Sequence, residues 1–306
     1  MSENIAFIGV GNMGNPMACN LKNAGKKVKV FDVSKEMIDK AYENNLDVEK
    51  DFGKLINSET SVVITMLPEG KHSKEVYLKE NGVLDKVSKN CLLIDCSTID
   101  IDTSKEIGKK ANEKGIKMID APVSGGVMGA QKATLNIMVG GSNDAFNQAL
   151  PILKLMGKNI YHAGEIGSGN GAKICNNMSL GITMIAASES LMLARRLNID
   201  IKKVHEIMKN ASGNSWPISV YPPLPGLIEG TPSNNKYKPG FSAGMMNKDL
   251  KLANECAKNA NASTPLGKLA SWINSVSIIA DKGATSDGLR TIVQPDAIAG
   301  ITFKQV

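Results

Sequence analysis

Aromatic residues make up only 4% of this chain, and histidine occurs three times. Like charges never run beyond isolated Lys-Lys or Arg-Arg pairs. With so few rings there is little from which to build a base-stacking surface, and a charge of +6 spread over scattered lysines makes no basic stripe. Nucleic acid is therefore not an expected partner. The charge favours solubility and mildly attracts anionic ligands. Five cysteines (Cys19, Cys91, Cys96, Cys175 and Cys256) are odd in number and form no CxxC pair. That argues against a disulfide frame or a zinc site and for buried free thiols in a reducing compartment. No His, Cys or acid cluster has metal-ligand spacing, so no metal is expected. A hydrolase nucleophile elbow and a His-Asp dehydrogenase pair are not expected either. No targeting segment precedes the first apolar run, so the chain reads as cytoplasmic, or as mitochondrial matrix if it is a trimmed eukaryotic form.

The composition is otherwise ordinary for a globular protein, 42% hydrophobic and 22% charged, and 306 residues are enough for two domains or one large one. Asn4–Val10 is a short apolar run entering GVGNMG, with Gly9, Gly11 and Gly14 at the fingerprint spacing. A helical stretch ending on Gly25 follows, and then KVKVFD, which closes on Asp32. Strand, GxGxxG, helix, strand and terminal acid form the dinucleotide-binding fingerprint. The first glycine makes the turn, the second admits a pyrophosphate close to backbone, and the third lets helix pack on strand. The loop Gly9, Gly11, Asn12, Met13 and Gly14 is the expected phosphate cradle. A carboxylate at Asp32 accepts from ribose hydroxyls and repels a 2′-phosphate, which favours NAD over NADP. Lys35 nearby reads as a solvated first-turn lysine.

Further runs, SVVITML (61–67), CLLIDCST (91–98), KMIDAPVS (117–124), LNIMVGG (135–141) and NIYHAG (159–164), read as strands alternating with helices. The expectation is a doubly wound, mainly parallel sheet over residues 1–164, covered on both faces. Ligands in such sheets bind beyond the strand carboxyl ends. That places Leu67, Pro68, Thr98 and Ser124 on one rim with the glycine loop, and His72 after LPEGK can touch nucleotide there. His162 and His205 read as structural, His205 on a charged helix face. From Glu165 the strand signals stop. DIKKVHEIMKN, AGMMNKDLKLANECAKNA and TPLGKLASWINSVSIIADKG read as helices, with WPISVYPPLPG as a loop, giving a helical substrate or oligomerisation domain over 165–306.

The domains are joined by Gly167–Asn198, three glycines feeding a helix expected over about 169–197. Between Ile174 and Ala194 the only charge is Glu189, which suggests burial on nearly all sides. Its Asn, Ser and Thr residues are too many for a lone membrane span. Lys173 and Asn177, four apart, share one face. Lys173 is then either an acid–base group or an anchor for an anion, unless it is merely solvated. Ser124 with the N–H groups of Gly125 and Gly126 can hold a carboxylate as an anion nest, or form a plain glycine turn. Lys248, in MMNKDL, reads as polar-face.

Several blocks together carry a resemblance: GVGNMGNPMACNL, TMLP, LLIDCSTID, DAPVSGGVMGAQKATLNIMVGG, GAKICNNM and MNKDL, in order along nearly the whole chain. They resemble the 3-hydroxyisobutyrate dehydrogenases among the β-hydroxyacid dehydrogenases, which include 6-phosphogluconate dehydrogenase and related glyoxylate reductases. SGNSWPISVYPPLPG and PSNNKYKPGF are similar to the valine-catabolic branch. The resemblance implies NAD-dependent oxidation of 3-hydroxyisobutyrate to methylmalonate semialdehyde, with Lys173 catalytic. It also implies that Ser124 and Gly125 bind the substrate carboxylate and that Asn177 contacts substrate. Nucleotide contacts are implied at the glycine loop, Asp32, Leu67, Pro68, Thr98 and Lys248. A position shortly after LP that is commonly Asn in the family is His72 here. A homodimer or homotetramer is implied as well. The rival activity is a semialdehyde or glyoxylate reductase working with NADPH, against which Asp32 speaks. A non-catalytic dinucleotide-binding scaffold is the rival from another class, against which Lys173, Ser124 and Asn177 together speak.

Overall fold

The computed structural model describes residues 3–237 and 241–282, with side chains as far as Ser275. Residues 238–240, inside PSNNKYKPGF, and Gly283, at the end of the last expected helix, lie outside the described residues. The chain divides into two compact units, Met1–Lys173 and Ile174–Val306. The division falls within a helix, beyond the expected boundary at 164, because residues 167–170 are bonded into the first unit.

The first unit is built on one sheet of nine strands. They are β1 (Asn4–Ile8), β2 (Lys27–Phe31), β3 (Asp47–Val48), β4 (Thr60–Thr65), β5 (Leu92–Asp95), β6 (Lys117–Asp120), β7 (Val123–Ser124), β8 (Leu135–Gly140) and β9 (Gly157–Gly164). Pairing is parallel through β3-β2-β1-β4-β5-β6. The order reverses direction at β1, the topological switch point at which open α/β sheets bind ligands. Strand side chains alternate between two cores. Ile5 and Phe7 join Val30, Ile64 and Ile94 on one face, while Ala6 and Ile8 join Val63 and Leu93 on the other. Both faces are covered, so β1, β4 and β5 read as near-continuous apolar runs, whereas β2, beside the edge strand β3, alternates with Lys27 and Lys29. Truncating fully buried Phe7 to alanine would cost about 3–5 kcal/mol.

Beyond β6 the sheet is mixed. The expected strand 117–124 is two strands, broken at Ala121–Pro122, where the chain passes from pairing with β5 to pairing with β8. Strand β8 runs antiparallel to β6 and β7, and β9 runs parallel to β8. Connection length is the cause. Residues 125–134 are fewer than the dozen or so that a parallel crossover takes, whereas the segment between β8 and β9 carries the helix Asn143–Leu153. The helix Lys35–Glu43 begins at Lys35, the expected first-turn lysine, whereas the sequence pattern leaves unmarked the two-residue edge strand β3 and the helix Gly70–Leu78.

The helix Ser168–Arg196 is 29 residues long. Burial on nearly all sides does not hold for it, because Cys175, Asn176, Ser179, Ala186 and Glu189 are exposed along one stripe. Those residues are small or polar, while Ile174, Met184, Ile185 and Leu191 turn inward. Cys175 is accordingly an exposed thiol, unlike buried Cys91 and Cys96. In the second unit Met184 and Ile185 pack with Met246, Leu250 and Ala270. Gly181 lets the helix Ala243–Asn259 approach, since a Cβ there would lie 2.9 Å from Leu250 Cδ2. The helices Ile201–Asn210 and Pro265–Lys282 also belong to this unit, and the expected proline-rich loop contains a short helix, Trp216–Ser219. His205 is buried and not on a charged face. Its Nε2 lies 2.8 Å from the Ile218 carbonyl oxygen, inside the stripe formed by Val204 and Met208. Among the described residues no helix is long and apolar enough to cross a membrane.

Candidate active site

Gly9 follows β1 with φ 91°, a backbone that favours glycine, and a Cβ there would collide with the Met66 carbonyl at the end of β4. Gly14 opens the helix Gly14–Asn23, and its Cβ would collide with the Gly9 carbonyl oxygen. Gly11 differs, because a Cβ there meets nothing within 4 Å. Two glycines therefore serve packing, and the middle one borders open space. The helix N-terminus is not capped by the Met13 side chain and has no acid in its first turn. By contrast Ser34, Asp100 and Ser142 each accept a backbone N–H at the start of their own helices. An uncapped first turn over open backbone is a place for an external anion. Asn12 is exposed beside it.

Asp32 closes on this loop. Its Oδ2 accepts the Val10 N–H at 2.8 Å and its Oδ1 accepts the Ser34 N–H at 2.9 Å. These bonds fix a carboxylate at the end of β2. Across the switch point, the Leu67 N–H donates to Ser97 Oγ at 2.8 Å, and the Ser97 N–H donates to Asp95 Oδ1 at 3.0 Å. The Thr65 hydroxyl also donates to Asp95 Oδ1 and meets the Tyr77 hydroxyl at 2.9 Å. This buried network holds the rim on which Pro68 is exposed and Thr98 half-buried. Burial pushes the Asp95 carboxyl upward, with bonds to Ser97 and Thr65 opposing. His72 is half-buried in the helix Gly70–Leu78, and its Nδ1 is buried without a hydrogen-bond partner. The loop, the Asp32 carboxylate and this rim fit a dinucleotide.

Ser124 ends β7, and Gly125 and Gly126 follow with φ 135° and 63°, which only glycine adopts readily. Gly125 is the N-cap of Gly126–Gln131, and no side chain caps that turn.

Lys173 is only 6% exposed, in the second turn of Ser168–Arg196. The start of that helix is fixed by Asp120, at the end of β6. Asp120 Oδ1 accepts the Gly167 N–H and Oδ2 accepts the Asn170 N–H, both at 2.7 Å. The Asn170 side chain is fully buried. Its Oδ1 accepts the Ile99 N–H at 3.0 Å, and its Nδ2 donates to Ser104 Oγ at 3.0 Å. Burial, with the charge of Asp95 adding to it, pushes the Asp120 carboxyl up to about 6, against the two backbone N–H bonds.

Asn177 and Lys248 belong to the second unit, where they share Asp249. The Asn177 amide donates to Asp249 Oδ2 at 2.5 Å and accepts from Asn176 at 2.9 Å. The Lys248 ammonium lies 3.2 Å from Asp249 Oδ1, as an ion pair rather than a directed hydrogen bond. Asp95, Asp120, Asn170 and Asp249 are organising groups that the sequence reading passed over. Only their place at strand ends, or next to a marked residue, could have signalled them. Among the described residues no cluster could hold a metal ion. Residues 240–244, GFSAG, do fit the letters of GxSxG. Ser242, however, caps Ala243–Asn259 with its Oγ accepting the Met245 N–H, which is not the strand-to-helix turn of a nucleophile elbow.

Residues 4–164 match the family described as the NAD binding domain of 6-phosphogluconate dehydrogenase. Residues 167–293 match the family described as NAD-binding of NADP-dependent 3-hydroxyisobutyrate dehydrogenase. A 3-hydroxyisobutyrate dehydrogenase of Pseudomonas aeruginosa is 44% identical over 93% of this chain and 95% of its own length. An NAD-dependent L-serine dehydrogenase of the same organism is 41% identical over 88% of this chain and 90% of its own. The structure of a Mycobacterium tuberculosis 3-hydroxyisobutyrate dehydrogenase with L-serine superposes with a TM-score of 0.87 at 37% identity, covering 99% of this chain and all of that one. With these likenesses running through both units, the chain belongs to the 3-hydroxyisobutyrate dehydrogenase family of NAD-dependent dehydrogenases.

Proposed function

We propose that the protein oxidises 3-hydroxyisobutyrate to methylmalonate semialdehyde with NAD, as a step of valine degradation. The observation that carries this is a buried lysine, Lys173, at the rigidly held start of a helix in a chain 44% identical to a 3-hydroxyisobutyrate dehydrogenase. NAD, when bound, supplies the hydride acceptor. Gly9, Gly11, Asn12, Met13 and Gly14 hold its phosphates, Asp32 its ribose, and Leu67, Pro68, His72, Thr98 and Lys248 make further contacts. Ser124, with the N–H groups of Gly125 and Gly126, holds the substrate carboxylate. Lys173 takes the hydroxyl proton as a general base and returns it in reduction, while Asn177, one helical turn on, orients the substrate. Like its proposed activity, its proposed state follows the family: a homodimer or homotetramer, in the cytoplasm or, for a processed organellar chain, the mitochondrial matrix.

A second reading, L-serine oxidation, is favoured by the 41% identity to an L-serine dehydrogenase. Serine and 3-hydroxyisobutyrate share the 3-hydroxycarboxylate and differ at C2, where one carries an ammonium and the other a methyl. The test is steady-state kinetics with 3-hydroxyisobutyrate, L-serine and 3-hydroxypropionate, each with NAD and NADP. The proposal expects the highest kcat/KM for 3-hydroxyisobutyrate with NAD. A higher value for L-serine replaces it with the second reading.

A further inference from the structure

Asp120 is a carboxylate with no solvent exposure at the end of β6, and it belongs to no part of the nucleotide cradle. Its two oxygens are divided between two backbone donors of one helix start, Gly167 and Asn170. The fit around it is backbone on backbone. A Cβ on Gly169 would collide with the Met138 carbonyl oxygen and lie 2.8 Å from the Asp120 carbonyl, and a Cβ on Gly140 would collide with Asp120 Oδ1 itself. The helix start thus sits directly on β6 and β8 with no side chain between. Asn170 ties the same turn to the segment after β5, through Ile99, next to Thr98, and to the helix Ile101–Glu113 through Ser104. Lys173 comes three residues after Asn170, one turn further on the same face.

A helix start needs no buried charge to be stable, because a serine or an asparagine caps one as well. A carboxylate taken out of water is costly unless its bonds return something specific. Here the return is rigid placement. Charge-assisted bonds of 2.7 Å are the short, strong kind, and two from one carboxylate fix a turn in both position and rotation. Reaction rate is sensitive to such placement, since about 1 Å of misplacement can cost on the order of 10²-fold.

We propose that Asp120 is a positioning residue for the proton-transfer step: it clamps the first turn of the helix Ser168–Arg196 to the sheet and thereby sets where Lys173 presents its amine. This rests on the reading of Lys173 as the general base. Asp120 touches neither substrate nor cofactor. It acts through Gly167 and Asn170.

The experiment uses the full chain with Asp120→Asn, which keeps the shape but offers a donor where one backbone N–H needs an acceptor. Three quantities are read: kcat and KM for 3-hydroxyisobutyrate oxidation, the Kd for NADH by fluorescence, and deuterium uptake of a peptide covering 166–173. The expected result is a kcat lowered roughly 10- to 100-fold, KM and Kd within about threefold of wild type, and faster exchange in that peptide alone. Near-normal kcat overturns the proposal, as does a loss of NADH affinity equal to the loss of kcat, which would mean general damage to the unit. If Asp120→Asn does not give a cooperatively folded protein, Asn170→Ala removes the other anchor of the same turn and is held to the same outcomes. The exchange measurement separates this proposal from the reading of Lys173. Unchanged exchange sinks the clamp whatever the lysine does, whereas a fully active Lys173→Arg alongside faster exchange sinks the base and leaves the clamp.

Discussion

Among the described helices that begin in glycine-rich loops, two have first turns treated in opposite ways. Gly14–Asn23 starts with no side-chain cap and no acid, beside a glycine whose Cβ would meet nothing within 4 Å. Ser168–Arg196 starts with a buried carboxylate on its first donors, packed backbone to backbone against two strands. The same chemistry, N–H groups without partners within the helix, is left open in one case and closed in the other. An open first turn is a site for something that comes and goes. A closed one holds whatever the helix carries, here Lys173.

The sharpest break in that contrast is to remove what the closed helix carries. Lys173→Ala should lower kcat by about 10²–10⁴-fold, the usual size of a general base's contribution, while NADH binding persists. Lys173→Arg should fail as well, because guanidinium does not give up its proton at neutral pH. In the wild type, kcat for oxidation should rise with pH as the base deprotonates. Near-normal turnover by the arginine variant would falsify proton transfer by this residue.

At the open turn, the expected effect depends on which glycine is changed. Gly14→Ala puts a methyl group against the Gly9 carbonyl, so backbone must move; both NADH affinity and thermal stability should fall. Gly11→Ala meets no protein atom, so stability should stay within about 0.5 kcal/mol of wild type while NADH affinity drops at least tenfold. Calorimetry and fluorescence titration decide it. Equal damage from both substitutions would mean that the loop is only a packed turn.

Ser124→Ala should act more mildly and on the substrate alone. One hydrogen bond to a charged carboxylate is worth about 1.5–3 kcal/mol, which is roughly 10- to 150-fold in KM. If NADH affinity falls as far, Ser124 belongs to the cofactor.

The open turn was legible in the sequence, because its logic is local. Gly9, Gly11, Gly14 and Asp32 stand at a spacing set by one strand, one turn and one helix, and at Gly9 and Gly14 the backbone leaves no room for a Cβ. The closed turn was not. Asp120 lies 47 residues before Gly167, and only sheet pairing brings the two together. Asp249 stands 72 residues from Asn177 and escaped notice for the same reason. The antiparallel turn of the sheet at β8 was hidden in a connection whose length, not its pattern, decides direction. The exposed stripe of the long helix was missed because, Glu189 apart, the residues named on it are small or uncharged, as at Ser179 and Ala186.

The smallest effect sharpens the contrast most, because it asks whether the closed turn is there for stability at all. Burial holds the Asp120 carboxyl at about 6, above the 3.8 of an unperturbed aspartate. The folded protein therefore binds this proton more tightly than the unfolded chain does. Between about pH 4 and 6 the native state holds more protons, so the contribution of Asp120 to stability falls as pH rises and is flat above that window. Ionisation costs the fold up to about 3 kcal/mol. Asp120→Asn removes this cost but leaves one backbone donor poorly matched, which costs about 1–3 kcal/mol. The two offset, so at pH 7 the variant should be within about 1 kcal/mol of wild type. Relative to it, wild type should lose stability as pH goes from 4 to 6. The exposed pairs Lys114–Asp85 and Lys74–Glu106, whose carboxylates are held low, give the opposite slope, but both proteins share them and the difference cancels. Denaturant melts at half-unit pH steps measure the difference directly. A variant much less stable at pH 7 and parallel to wild type across the window would show that the carboxylate is there to hold the fold. A variant equally stable but slow would show that it is there to hold the lysine.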